Sequence, residues 1–325
     1  MRLPGEEALT AQAVVLDHPG NISVQGVELS TPSVTDVLVQ TRWSGISSGT
    51  ERLLYEGEMP PFPGMGYPLV PGYESVGDVI WAGPESGHQP GERVFVAGAA
   101  CYPNLHALFG GSAARLVTAG ARAHRVSKAL GANATLLALT ATAEHILATA
   151  GDIDLIVGHG VLGRLLARLV IAHRSAAAPA PAPLTVWDTA ACRMQGAKGY
   201  RVCDPAADER RDYRCIVDVS GDSGLLDTLV SRLQPGGVIV LGGFYKQRLS
   251  FDFAPAFMRE TSIRIAAEFQ PEDMAAACRD MESGVLDVGG LLTHRQPAEN
   301  ASGAYAQAFS DLDCLKMILD WDSVQ

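Results

Sequence analysis

Between the apolar run Leu155-Ile156-Val157 and a helical pattern over Val161–His173 lies Gly158-His159-Gly160-Val161-Leu162-Gly163. Few folds accept glycines at these three places. The first permits a tight turn, the second lets a ligand approach the backbone, and the third lets the helix lie against the strand. The helix start, at Val161 and Leu162, then offers free N–H groups to a pyrophosphate. A carboxylate is expected at the end of the next strand, about 20 residues on, to bind ribose hydroxyls. Leu184-Thr185-Val186-Trp187-Asp188 supplies Asp188. It comes late because Ala176-Ala177-Ala178-Pro179-Ala180-Pro181-Ala182-Pro183 intervenes, a low-complexity surface insertion. A carboxylate at this point repels a 2′-phosphate, so NAD is expected over NADP, and Arg193 nearby reads as a solvated side chain.

The surrounding pattern agrees with that motif. Strand-like runs at 184–187, 200–203, 215–219, 238–241 and 263–266 alternate with helical ones, which predicts an α/β doubly wound parallel sheet. Ser220 and Gly242 end two of those strands and are candidates to flank the ribose and nicotinamide, although packing explains the glycine equally well. Upstream, short β-branched runs such as Asp36–Trp43 and Ser75–Trp81 are punctuated by Gly and Pro, which suggests a small barrel-like domain with long loops. A helix is expected over Glu272–Ser283, a short strand near Leu291–Thr293 and a last strand over Met317–Leu319. The expected division is 1–133 for the barrel, 134–267 for the dinucleotide domain and 268–325 for a return to the first domain.

Of 325 residues, 47% are hydrophobic and 19% charged, enough for a sizeable core and too few charges for a disordered chain. The net charge of −11 argues against a broad nucleic-acid-binding face. Six scattered cysteines form no C-x-x-C pair and read as reduced thiols in a cytoplasmic protein. No apolar run reaches the length of a membrane span.

Ser44-Gly45-Ile46-Ser47-Ser48-Gly49-Thr50-Glu51, Pro71-Gly72-Tyr73-Glu74, Pro90-Gly91-Glu92-Arg93-Val94 and the glycine loop together resemble the medium-chain dehydrogenase/reductase family. The likeness spans the whole chain and implies a Rossmann domain plus a GroES-like β-barrel catalytic domain. Zinc-using members carry Cys in the first motif and His before Glu in the second. This chain has Ser47 or Ser48 at the first position and Tyr73 at the second, and lacks the four-cysteine structural lobe. Three protein ligands are needed for a catalytic zinc, and Glu74 alone cannot hold one, so no zinc is expected. The long run from Ser44 to Leu54, continued from Met59 to Gly77, is more specific. It resembles the hydroxyethyl bacteriochlorophyllide dehydrogenases, and implies NAD-dependent oxidation of a 1-hydroxyethyl group on a chlorin or bacteriochlorin to an acetyl group. Dimers are common among relatives, which leaves a homodimer open, as is a peripheral position at the photosynthetic membrane.

Without zinc, a developing alkoxide needs hydrogen-bond donors and a proton acceptor. Tyr73 is the expected direct partner and Thr50 the relay, with Ser47, Ser48, Glu51 and Glu74 around them. A tyrosine ordinarily ionises near ~10, so Tyr73 as a base needs a cation, either Arg52 or the nicotinamide. Met59, Phe62, Met65 and Tyr67, on a proline-stiffened loop, are expected to line a wide apolar pocket, though inter-domain packing would suit them equally. Two other functions compete: a zinc-free reductase of quinones or enones using NADPH, and a non-catalytic dinucleotide sensor.

Overall fold

Ala13–Leu16 in the middle of Thr10–His18 and all of Leu155–Val157 are buried without alternation, so both strands are covered on two faces. A computed structural model describes residues 9–61, 63–174 and 183–324. Met1–Ala138 with Gly290–Gln325 form one compact unit and Leu139–Gly289 the other. In chain order the first unit contains β1 (Thr10–His18), β2 (Asn21–Glu28), β3 (Asp36–Ile46), α1 (Thr50–Glu56), β4 (Leu69–Val70), β5 (Ser75–Ala82), β6 (Arg93–Val96), β7 (His106–Ala107), β8 (Arg115–Ala119) and β9 (Ala123–Arg125). After α2 (Leu137–Ala150) come β10 (Leu155–Val157), α3 (Val161–Arg174), β11 (Thr185–Trp187), β12 (Arg201–Cys203), β13 (Tyr213–Asp218), α4 (Leu226–Arg232), β14 (Leu233–Leu241), α5 (Phe253–Met258), β15 (Ser262–Ile265) and α6 (Pro271–Glu282). The chain then returns with β16 (His294–Pro297), α7 (Ala301–Ser310) and β17 (Met317–Asp320).

In the first unit a four-stranded sheet, β2-β1-β4-β7, accompanies a larger one ordered β16-β17-β3-β5-β6-β9, with β8 also on β3. Strand β3 is central. Its end pairs with β5 through Ser44↔Ser75 on one side and with β17 through Met317↔Ile46 on the other. The residues just past β3, just before β5 and just before β17 therefore converge. The expected strand at Leu291–Thr293 is displaced: the strand is β16, three residues later. Leu291 is buried in a non-strand segment, while polar His294-Arg295-Gln296 make a sheet edge, where a strand does not need an apolar run.

The second unit holds six parallel strands ordered β12-β11-β10-β13-β14-β15. The chain winds out in both directions from β10, so a crevice opens at the carboxyl end of β10, between its neighbours β11 and β13. Val157 is in register with Trp187 and with Asp218, so the segments that follow all three strands lie side by side. The Ala/Pro insertion falls almost wholly outside the described residues. Among the described residues no helix is long and apolar enough to cross a membrane.

Candidate active site

The convergence at the end of β3 builds a polar cluster inside the first unit. Ser47 is buried and its Oγ accepts two hydrogen bonds, from Tyr73 Oη at 2.8 Å and from the Thr50 N–H at 3.2 Å. With both acceptor positions used, the Ser47 hydroxyl proton is left to donate. Thr50 opens α1, and Glu51, one residue on, turns back so that its Oε1 accepts the Ser47 N–H at 3.0 Å. Tyr305 on α7 donates to the other oxygen of Glu51. Burial pushes the Glu51 carboxyl up to about 7, against the bonds from Tyr305 and Ser47.

Glu74 is fully buried beside this cluster. Lys316, the residue before β17 and itself 3% exposed, forms an ion pair with Glu74 and donates to the Ile46 carbonyl at 3.1 Å. Lys316 is the cation that faces this buried carboxylate. Gly45 makes room for this carboxylate, because a Cβ there would stand 1.9 Å from Glu74 Oε2. Burial raises the Glu74 carboxyl, with Lys316 opposing it. Burial also raises the Tyr73 phenol, and the Glu74 charge adds to it. Tyr73 is thus held protonated, a hydrogen-bond donor rather than a free base. The cation that a basic Tyr73 would need is not Arg52, whose guanidinium pairs with Glu56 at 2.7 Å on the same helix.

Of the two serines, the structure brings Ser47 to Tyr73 and leaves Ser48 exposed in the turn. Met59 is a core residue, 7% exposed and packed in the cluster that contains Leu53 and Leu54. Tyr67 gives its hydroxyl to the Leu54 carbonyl at 2.6 Å, and Met65 is half-buried against the same core. Phe62 lies outside the described residues.

In the second unit each glycine of the loop has a distinct geometry. Gly158 has φ +103°, and a Cβ there would come 3.1 Å from the Ser220 backbone. A Cβ on Gly163 would lie 1.9 Å from the Gly158 carbonyl oxygen, so α3 packs here only without a side chain. Gly160 faces open space, with nothing within 4 Å of where a Cβ would stand, and Val161 and Leu162 follow it as the first residues of α3. The loop is braced from behind by His159, whose buried ring meets the Arg193 carbonyl through Nδ1 at 2.5 Å and Tyr200 Oη through Nε2 at 2.9 Å. A carbonyl only accepts, so Nδ1 carries the proton and Nε2 accepts from Tyr200. Burial lowers this imidazole to about 4, so it is neutral at neutral pH.

Asp188 sits at the end of β11, where its Oδ2 accepts the His159 N–H at 2.8 Å and its Oδ1 the Ala190 N–H at 2.9 Å. Each oxygen keeps a lone pair for a ribose hydroxyl. Ser220 is exposed at the end of β13 and bonds Asp218 Oδ1 through both N–H and hydroxyl. Gly242, at the end of β14, would press a Cβ to 2.6 Å from Ile146 Cδ1, a packing reason for glycine. A bare backbone at Gly160, free helix N–H groups and an acidic strand end suit an NAD-type dinucleotide.

Lys316, Tyr305 and His159 were not among the residues the sequence singled out. Lys316 had a signal: a lysine inside Cys314-Leu315-Lys316-Met317-Ile318-Leu319 must find a partner if that run is buried.

Residues 33–150 match the family described as alcohol dehydrogenase GroES-like domain. The chain is 54% identical to 2-desacetyl-2-hydroxyethyl bacteriochlorophyllide A dehydrogenase of Cereibacter sphaeroides, over 95% of this chain and 98% of that protein. It is 52% identical to the protein of the same name from Rhodobacter capsulatus, over 96% of this chain and 99% of the relative. Among solved structures, L-idonate 5-dehydrogenase of Escherichia coli superposes with a TM-score of 0.81 at 19% identity, covering 97% of this chain and 99% of the other, a likeness of fold. From its identity to two dehydrogenases along almost the whole sequence, the chain belongs to the hydroxyethyl bacteriochlorophyllide dehydrogenases, NAD-dependent oxidoreductases of the medium-chain dehydrogenase/reductase family that lack the cysteine-based zinc set.

Proposed function

We propose that this chain oxidises the 1-hydroxyethyl substituent of a bacteriochlorophyllide or chlorophyllide to an acetyl group. The observation that carries this reading is the 54% identity to a dehydrogenase named for that substrate. NAD, when bound, supplies the hydride acceptor. Gly158, Gly160, Val161, Leu162 and Gly163 would hold its pyrophosphate and Asp188 its adenine ribose, with Ser220 and Gly242 towards the nicotinamide. The Asp188 carboxylate favours NAD over NADP by repelling a 2′-phosphate, which weighs against the NADPH-dependent reductase.

Tyr73 holds the carbinol oxygen, its Oη accepting the alcohol proton while its own proton points to Ser47 Oγ. Ser47, whose acceptor positions Tyr73 and the Thr50 N–H fill, has its hydroxyl proton left to pass on. The alcohol proton leaves along the hydroxyls of Tyr73, Ser47 and Thr50 to water. Each hydroxyl gives up one proton as it takes another, so Tyr73 need not ionise. Glu51 and Glu74 fix the geometry, Glu51 through the Ser47 N–H and Glu74 through Lys316. Met65 and Tyr67 are assigned to the apolar approach for the macrocycle together with Phe62. Met59 supports that loop from the core, and Ser48 is a surface residue of the turn.

A homodimer and a cytoplasmic location, peripheral to the photosynthetic membrane, belong to the same proposal. Supporting the dimer, β15 is an edge strand and carries Ile265 75% exposed, and the helix before it, α5, exposes Phe253, Phe257 and Met258 at 72%, 64% and 75%. The test of function is turnover of the hydroxyethyl pigment with NAD by wild type and by Tyr73→Phe. Loss of turnover in the variant with unchanged NAD affinity is expected. Wild-type turnover in the variant removes Tyr73 from the chemistry, and NAD binding without turnover of the pigment by wild type favours the sensor.

A further inference from the structure

Three helices of the second unit bring one side chain each to a common point. Glu144 is in the middle of α2, His173 in the last turn of α3 and Asp280 in the last turn of α6. One ligand atom of each lies within 4.8 Å of the other two. His173 Nε2 and Asp280 Oδ2 are 3.0 Å apart. Glu144 is only 7% exposed, and its Oε1 is sealed from solvent without a hydrogen-bond partner. Its carboxyl faces that of Asp280. A buried, unpartnered carboxylate oxygen is costly, and a second carboxylate opposite increases the cost.

Helix docking does not require this arrangement. Helices α2 and α6 are already joined by Thr140 to Met281 at 3.4 Å and by His145 to Asp273 at 2.9 Å. The C-terminal turns of α3 and α6 add partial negative charge at the same place. Two carboxylates, an imidazole and two helix C-termini call for a cation, and the imidazole nitrogen selects a first-row transition ion over magnesium or calcium.

We propose that Glu144, His173 and Asp280 bind one divalent transition-metal ion, zinc in the first instance, that ties α2, α3 and α6 together. Tetrahedral zinc with bonds of about 2.0–2.1 Å sets its ligand atoms ~3.3 Å apart. The His173–Asp280 pair is already close to that spacing. The exposed His173 side leaves the fourth position to water. The role is structural, and it is separate from the catalytic zinc set that this chain lacks around Ser47 and Tyr73.

The test is calorimetric titration of Zn²⁺ into chelator-stripped full-length protein, with Co²⁺ absorption as the spectroscopic readout. One ion per chain, a raised thermal midpoint and tetrahedral Co²⁺ bands are expected. His173→Ala, a surface change that leaves the fold intact, and Asp280→Asn are each expected to weaken binding by at least about 100-fold, beyond the loss of an outer-shell partner. Absence of saturable binding overturns the proposal, and so does binding of unchanged affinity in both variants.

Discussion

Replacing Lys316 by Met leaves Glu74 as a lone carboxyl in a fully buried place, and removes a donor from the Ile46 carbonyl. Breaking a buried ion pair from one side costs about 3–5 kcal/mol. Glu74 has one escape, which is to take up a proton. Burial already raises it in the wild type, and without Lys316 nothing opposes that rise. In the variant the folded state therefore binds a proton that the unfolded state releases, so stability falls as pH rises above the unfolded value, by up to ~1.4 kcal/mol per pH unit. The loss is expected to be small near pH ~5 and to approach the full penalty near pH ~8. Urea unfolding followed by tryptophan fluorescence measures it, since Trp43, Trp81 and Trp321 are in the first unit and only Trp187 is in the second. The double variant Lys316→Met with Glu74→Leu is expected to recover most of the loss, because an apolar pair of similar volume has no charge to strand. A single variant that loses less than about 1 kcal/mol at every pH, or a double variant no better than the single, would mean that Lys316 does not compensate a buried Glu74 charge.

Other changes test other parts of the structure. Gly163→Ala puts a Cβ 1.9 Å from the Gly158 carbonyl, so α3 must shift; the expected cost is about 1–3 kcal/mol with a matching loss of NAD affinity, read by thermal melting and cofactor titration. The two units are expected to answer acid in opposite ways. The Glu51 carboxyl is raised to about 7, so its share of stability grows as pH falls from about 7 towards its unfolded value near ~4.5. His159 is lowered to about 4, so its share is complete above its unfolded value near ~6.5 and is lost, up to about 3 kcal/mol, as pH falls towards 4. Melting curves of Glu51→Gln and His159→Gln between those limits check both signs.

The parts of this molecule legible in its sequence are the local ones. The glycine loop could be read because strand, turn and helix start fall within a few consecutive residues, and Gly158 and Gly163 each meet a steric demand of their own neighbourhood. Ser47, Thr50 and Tyr73 were visible because two short motifs carry them, although sequence alone could not choose between Ser47 and Ser48. Which serine meets Tyr73 is decided by the turn into α1, which buries Ser47 and exposes Ser48. The supports of the cluster were not visible. Lys316 and Tyr305 reach Glu74 and Glu51 from 242 and 254 residues away, brought there by the pairing of β17 with β3 and by the packing of α7. The misplaced strand near residue 291 has the same origin: an apolar signal marks burial, whereas a sheet edge is defined by its neighbour, here β17.

Anaerobic incubation of the purified chain with NAD and a hydroxyethyl bacteriochlorophyllide, followed by absorbance of both reactants, tests whether Tyr73 carries the proton transfer in pigment oxidation. One NADH is expected for each pigment whose spectrum shifts to the acetyl form, at a rate unchanged by added Zn²⁺ and lost in Tyr73→Phe. NADH and pigment product formed at full rate by Tyr73→Phe, or NAD bound with the pigment left unchanged, would contradict this expectation.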